Sequence, residues 1–272
     1  MKTEEAKKLT DQALETLASA LEHGQSNQLT AYLAAMARFH NYSFGNIMLI
    51  AMQRPDATYV AGFRSWKKLD RFVKKGEKGI VIIAPMLIRS KNDEQGDDDD
   101  RTMLRFKAVY VFDVSQTDGQ PLPEFARVGG NPNGHTDRLK AFVAESSIEL
   151  EYATGLDATV ELGTAEGASY GGRIVLREGL SPADEFSTLT HELAHELLHR
   201  KEGRKKLSKT IRETEAEAVA SVVCQAIGLD TNTAASDYIQ LYAGDKNTLA
   251  ASLDRIQHAA TAIIRAVTSN EQ

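Results

Sequence analysis

His191-Glu192-Leu193-Ala194-His195 decides how this chain is read. On a helix, residues four apart share a face, so the two imidazoles can hold one metal ion with Glu192 beside it. Seven His and 21 Glu among 272 residues would produce this pattern by chance about one time in seventy, so the flanking sequence has to support it. Upstream, Ser181-Pro182-Ala183-Asp184 is a helix start, with Ser as N-cap, Pro at the first helical position and an acid at the third. Phe186, Leu189, Leu193 and Leu197 then recur at three- and four-residue steps, an apolar stripe to bury while the histidines face elsewhere, and the helix is expected to run toward Gly203.

A catalytic zinc site takes three protein ligands and leaves a fourth position to water, so a third ligand is expected downstream. Glu213, Glu215 and Glu217 open a second apolar helix, which continues through Val219, Val222, Val223 and Ile227 and stops at Gly228. Glu213 and Glu217 share a face, and Glu215 points away. Zinc is the expected ion, although two His and one carboxylate also accept manganese, cobalt or iron. Glu192, beside the metal without ligating it, is placed as general base toward a metal-polarised water. Gly171–Leu176 is expected to be an edge strand on which an extended peptide pairs, and Tyr170 is a candidate oxyanion donor. His199 extends the histidine face by one turn, as support for the site or facing solvent, and His258 on a C-terminal helix from about Asn247 to Val267 is within conceivable reach of it.

Composition bounds the remainder. At 272 residues and 42% hydrophobic content the chain is expected to form two domains of ordinary size. No apolar run approaches the roughly eighteen residues needed to span a bilayer, and the N-terminus has no signal-peptide core. The single Cys224 lies among apolar residues, which fits a reducing cytoplasm. The net charge of −6 is unevenly spread: residues 1 to 127 carry 18 basic and 17 acidic side chains, the remainder 14 and 21. Six of the early acids crowd into Asp93–Asp100, read as a solvated loop, so the scaffold around it is more basic than its sum. Gly-Gly-Asn-Pro-Asn-Gly at 129–134 is a turn-rich boundary, which gives domains of 1–127 and 135–272.

The first half begins with two helical stretches, to about residue 24 and through Leu29, Leu33, Met36 and Phe39, and an apolar run from Ile47 to Met52. Ile80–Ile83 and Phe106–Phe112 are β-rich, so an antiparallel sheet packed against helices is expected there, and α+β is the fold class of the chain. Residues 64–78 hold seven basic and two acidic side chains interleaved with aromatics, the composition of a single-strand nucleic-acid binder. In that reading Trp66 stacks on bases while Lys67, Arg71, Lys74, Lys75 and Lys78 track phosphates. In the alternative, Trp66, Leu69 and Val73 share a helical face as core, with Arg64, Lys67, Lys68, Arg71, Lys74 and Lys75 as a solvated rim.

Two resemblances follow from these motifs. The paired metal helices resemble those of gluzincin peptidases, and Glu213-Thr-Glu-Ala216-Glu217-Ala-Val219-Ala220 is similar to the Glu-x-x-Ala-Asn-x-Phe-Ala signature of IrrE-type and ImmA-type metallopeptidases. That resemblance implies Glu213 as third ligand, with Glu217, at the Asn position, as the alternative ligand or as the group that orients His191. The first half resembles the single-stranded-DNA-binding domain of ArdC-type antirestriction proteins through Tyr42-Ser43-Phe-Gly-Asn46, through the Trp66 segment leading to Val73-Lys-Lys-Gly76-Glu77-Lys78-Gly79, and through Tyr110-Val-Phe112-Asp113-Val114-Ser-Gln116-Thr117. The family places a zincin-like metallopeptidase domain after this module, in the order seen here. The resemblance implies a cytoplasmic protein that binds single-stranded DNA, with Ser43, Asn46, Lys74, Lys75 and Lys78 at the DNA, and a zinc-dependent peptidase acting on an unnamed protein substrate. Two other readings accompany it: a regulatory protease that cleaves a repressor, and a non-proteolytic DNA-protecting protein with a structural metal.

Overall fold

The computed structural model describes residues 3–24, 27–89, 102–120, 132, 134–200, 207–229, 241 and 245–269. The acidic stretch at 93–100, most of the 129–134 segment and Gly203 lie outside the described residues. The elements in chain order are α1 (Thr3–Glu22), α2 (Asn27–Arg38), α3 (Phe44–Gln53), β1 (Val60–Gly62), α4 (Phe63–Lys68), β2 (Arg71–Val73), β3 (Ile80–Arg89), β4 (Thr102–Asp113), β5 (Thr117–Gly119), α5 (Gly134–Glu145), β6 (Glu149–Ala153), α6 (Gly155–Leu162), β7 (Gly167–Ser169), β8 (Arg173–Arg177), α7 (Pro182–Leu198), α8 (Lys209–Ala226) and α9 (Lys246–Thr268). They form two compact units, residues 1–15 with 45–122 and residues 16–44 with 123–272.

The first unit is built on an antiparallel sheet in the order β1-β4-β3, with Ile80 opposite Val111 and Ile83 opposite Ala108, so the two β-rich runs of the sequence are its central hairpin. Val81 meets Ala6 of α1 and Leu49 of α3 in a buried cluster. Two amides of α3, seven residues apart and so on one helix face, pair with β3 as a further strand would. Asn46 donates to the Ile83 carbonyl and accepts from its N–H, both at 2.8 Å, and Gln53 does the same at Val81, at 2.8 and 3.0 Å. Side chains thereby satisfy backbone groups that would otherwise template aggregation.

After Trp66 the chain departs from the expected long helix. Helix α4 ends at Lys68, Asp70 takes φ 53°, and Arg71–Val73 pairs with Thr117–Gly119 as a separate two-stranded ribbon. Gly119, at φ 144°, passes so close to the Asp70 carbonyl that a Cβ would lie 2.2 Å from its oxygen. Tertiary pairing overrides the helical periodicity, and Leu69 is left exposed.

Asp113 closes β4 from a buried position. Its carboxylate accepts from the backbone N–H groups of Thr58 (2.8 Å), Tyr59 (3.1 Å) and Ser115 (2.9 Å). Burial raises its pKa, but these bonds and the Ser115 hydroxyl outweigh it and hold the carboxyl below the ordinary range. A depressed folded pKa gives stability that is present in full at neutral pH and is lost as pH falls through the folded value. Asp113→Asn is therefore expected to cost about 2–3 kcal/mol at pH 7 and to flatten the acid limb of a thermal-stability profile. An unchanged acid limb in the variant would remove Asp113 as its source.

The second unit carries a sheet in the order β6-β8-β7, with β6 parallel and β7 antiparallel to β8. Arg173–Arg177 is thus the central strand, and the expectation of an edge strand at 171–176 is corrected: the edge beside α7 is Gly167–Ser169. Its Gly-Ala-Ser sequence is short and poor in β-formers, so it carries no strand pattern. Helix α7 starts as expected, Ser181 accepting from the Asp184 N–H at 3.2 Å, and buries Phe186, Leu189 and Leu193, although Leu197 is exposed. Helix α8 is capped by Ser208 and ends with Gly228 at φ 80°, where Gly228 and Leu229 donate to the Gln225 and Cys224 carbonyls. That is the Schellman pattern a C-terminal Gly permits. Helix α9 buries Leu249, Leu253, Ile256, Ile263 and Ile264, as its stripe predicts.

Residues 16–44 fall in this second unit, not with the sheet that follows them. Helix α2 packs on α8, and Gln257 and Thr261 of α9 donate to the Tyr42 and His40 carbonyls at 3.1 and 2.8 Å. The unit around the metal helices therefore takes in a segment that a sequence boundary at 127 assigns to the first half. Among the described residues no helix is long and apolar enough to cross a membrane.

Candidate functional site

Packing of α7 against α8 brings together the residues that the HExxH spacing and the second helix point to. His191 Nε2 lies 3.1 Å from His195 Nε2, and Glu213 Oε2 lies 3.5 Å from the first and 3.3 Å from the second. Two imidazole nitrogens and one carboxylate oxygen converging on a point are a donor set that fits a divalent cation. The electrostatics agree. Burial pulls His191 down, but the Glu213 and Glu217 carboxylates outweigh it and carry it up to about 9. Burial and the neighbouring His191 push His195 down to about 4, and the bond from His191 draws Glu213 down to about 2. Carboxylate charge from Glu213 and Glu217 thus converges on the imidazole pair, where a cation would take the place of the proton.

Glu217 Oε2 faces the other ring nitrogen of His191, Nδ1, at 3.3 Å. Of its two expected roles, the geometry matches the orienting one, since a carboxylate at Nδ1 leaves Nε2 turned to the site. Glu192 is buried and close enough to raise His191 electrostatically. The backbone of β7 lies directly against it: a Cβ on Gly167 would sit 3.1 Å from Glu192 Cγ and 2.8 Å from Thr188 Cγ2. Only a residue without a side chain lets the edge strand approach the motif this closely. Glu213 is 49% exposed at its side chain, so the centre is open on that side.

Several neighbours were not legible in the sequence. Buried Glu196 accepts from Ser169 Oγ (2.6 Å) and from the N–H groups of Gly171 and Gly172 (both 2.7 Å), which ties the β7–β8 turn to α7. Glu215, which points away from the metal face, is fully buried, 2.9 Å from His199 Nε2 and bonded to Arg255 of α9. Burial raises its pKa, but His199 and Arg255 more than offset it and keep the carboxyl below the ordinary range. One signal did exist: Glu215 falls in register with Val219 and Val222 on the apolar stripe of α8, and a buried acid has to be paired. Tyr170 directs its hydroxyl to the Glu161 carbonyl at 3.4 Å beneath the Arg173 guanidinium, so the oxyanion role is not supported. His258 is exposed and bonds to Asp254, away from the cluster.

The nucleic-acid candidates separate by burial. Trp66 is fully buried and donates to the Phe112 carbonyl at 2.9 Å, so it is a core residue and no stacking platform. Asn46 is buried on the β3 edge. Arg71 is bound to Thr117 (2.8 and 3.0 Å) and to the Gln120 carbonyl, which pins β2 to β5. Lys67, Lys75 and Lys78 are exposed, as is Lys74, which also reaches the Ser115 carbonyl (3.1 Å) and Asp118 (3.5 Å). Ser43 is exposed but belongs to the second unit. The exposed aromatics interleaved with these lysines are Phe63 (58%) and Phe72 (57%). Alternation places Phe72 on the open face of β2, a signal hidden by the helical reading of the segment.

Comparison with known proteins finds two family models in succession along the chain, the first of which takes in residues 16–44. Residues 3–112 match the family model for the N-terminal domain of anti-restriction factor ArdC, and residues 136–224 match that of the IrrE N-terminal-like domain. The chain is 25% identical, over 87% of its length, to an uncharacterized protein of Bacillus anthracis, pXO2-81, and spans about half (46%) of that relative. Crystal structures of the antirestriction protein ArdC from plasmid R388 superpose with a TM-score of 0.57 (metal-free, 20% identical, 96% of this chain and 98% of that one) and 0.55 (Mn(II)-bound, 19% identical, 97% and 99%). The chain thus matches an ArdC-type N-terminal domain in its first part and an IrrE-like peptidase-family domain in its second, and it shares the fold of the ArdC antirestriction protein.

Proposed function

We propose that the protein is an antirestriction factor that binds single-stranded DNA through its first unit and hydrolyses peptide bonds at a divalent-metal centre in its second. The observation that carries the enzyme reading is the convergence of His191, His195 and Glu213 beside Glu192. Three protein ligands leave room for water and substrate, whereas a structural zinc site is closed by a fourth. Among the described residues the group of potential ligands is His191, His195 and Glu213, and the position of Glu217 at His191 Nδ1 supports an orienting role for it. The Mn(II)-bound ArdC structure supports a divalent ion, and zinc is the occupant the donor set favours.

When bound, such an ion supplies Lewis acidity to a water and to the scissile carbonyl. Glu192, buried beside the ligands, takes the proton of the attacking water and returns it to the departing amine. Glu217 keeps His191 turned to the site, and β7, held by Glu196 and brought close by Gly167, offers an edge for an extended peptide. Incubation of zinc-loaded protein with a proteome-derived peptide library, with new termini read by mass spectrometry, tests the reaction. Cleavage that chelator abolishes is expected, and its absence from folded, metal-loaded protein would sink the peptidase assignment.

Exposed Lys67, Lys74, Lys75 and Lys78 with Phe63 and Phe72 support the DNA reading, cations tracking phosphates and rings stacking on bases. With four to six phosphate contacts, log K should fall against log salt with a slope of roughly −3 to −4 for an oligonucleotide. Replacing Lys74 and Lys75 by Ala should reduce that slope by about 1.4. Phe72→Ala should cost about 1–3 kcal/mol, while Trp66→Phe acts on stability first. A flat salt response, or a preference for duplex, would overturn the assignment of this face.

A further inference from the structure

Behind the proposed metal centre runs a buried chain of polar groups with no part in that proposal so far. His195 Nδ1 lies 3.2 Å from His199 Nδ1, His199 Nε2 lies 2.9 Å from Glu215 Oε2, and the second oxygen of Glu215 accepts from Arg255, which also reaches Ser252 Oγ at 3.0 Å. His199, Glu215 and Ser252 are fully buried, and His195 is nearly so. Three helices supply the chain, His195 and His199 from α7, Glu215 from α8, Ser252 and Arg255 from α9.

We infer that His199 is the positioning residue that holds His195 in its metal-binding tautomer, with Glu215 and Arg255 setting the direction of the chain. The inference rests on the metal centre proposed above. Arg255, always charged and able only to donate, pairs with Glu215 as a carboxylate, which is an acceptor at both oxygens. His199 must then place its ring proton on Nε2, toward Glu215, which leaves Nδ1 as a lone pair. Facing that lone pair, His195 has to carry its own proton on Nδ1, and its Nε2 lone pair is thereby turned to His191 and Glu213. A neutral imidazole has one N–H and one acceptor, so a single buried acceptor, Glu215, determines the tautomer of two consecutive rings. Metal-ligating histidines generally give their second N–H to a carboxylate, a carbonyl or water. Here another imidazole stands in that place and passes the constraint on to a carboxylate on the neighbouring helix.

The two metal histidines are accordingly held by different means: His191 directly by Glu217, half-exposed, and His195 at one remove by Glu215, fully buried. The protected arrangement falls on the ligand nearer the core. It also accounts for a charged residue on the apolar stripe of α8, since Glu215→Leu would remove the one group that orders both rings.

The test is zinc affinity, measured by competition with a chromogenic chelator, together with long-range 1H–15N NMR of the histidine rings. In wild-type protein, His199 is expected to be protonated at Nε2 and bare at Nδ1, and His195 the reverse. His199→Leu should weaken zinc binding about 10- to 100-fold, the range seen when groups supporting a ligand histidine are removed. His199→Asn, whose amide oxygen takes the position of Nδ1, should stay within about threefold of wild type. Thermal unfolding of both variants separates a lost fold from a lost tautomer. Wild-type affinity in a folded His199→Leu variant, or a proton on His199 Nδ1, would overturn the inference while leaving the metal centre standing. Failure of folded wild-type protein to bind zinc would overturn the centre and this inference together.

Discussion

Purified protein is expected to carry about one divalent metal ion per chain, and His191→Ala and Glu213→Ala are each expected to lose it through gel filtration. The two substitutions act from different helices on one point, since Glu213 lies 3.3–3.5 Å from both imidazoles. Removing either leaves two donors, too few for a stable protein site. Glu217→Gln makes a graded comparison: it withdraws the carboxylate from His191 Nδ1 and should weaken the metal about 10- to 100-fold without abolishing it. Elemental analysis decides among these outcomes. Full occupancy in Glu213→Ala with loss in Glu217→Gln would exchange the roles of the two carboxylates. A metal-free, folded wild type would shift the weight of function to the DNA binding proposed for the first unit.

Glu192→Gln should leave that metal in place and lower the rate of peptide hydrolysis by about 10²- to 10⁴-fold, the usual contribution of a positioned general base. The amide keeps the volume of the carboxylate against Gly167 and Thr188 but cannot accept the proton of the attacking water. Loss of rate with metal and DNA affinity unchanged would separate chemistry from binding in a single variant. The same variant also separates the functional readings in cells. If it still protects incoming DNA from restriction, proteolysis is not what counters restriction, and shielding of the single strand carries that role.

The two helices of the candidate site were legible in the sequence because their determinants are local. Caps, the four-residue histidine spacing and the apolar stripes specify α7 and α8 without knowledge of the rest of the chain. The β3–β4 hairpin was legible for the same reason. Where local periodicity misleads, a partner distant in sequence decides the outcome. Residues 63–78 carry helical periodicity, yet pairing with Thr117–Gly119 draws Arg71–Val73 into a strand, buries Trp66 under Phe112 and exposes Phe72. Gly167–Ser169 has too little strand character to be seen, and only its pairing with β8 makes it the edge.

By itself, the sequence determined the helix that carries the paired histidines, the helix that supplies the facing carboxylates and the order of the two domain types. Only the tertiary structure decided which carboxylate faces which ring nitrogen, that Glu215 and His199 form a buried chain with Arg255, and that residues 16–44 pack with the second unit. Helix periodicity places a side chain on a face. Which atom it meets depends on the neighbouring helix packed against that face, and packing is set by the burial of the whole apolar surface, a quantity no local window contains.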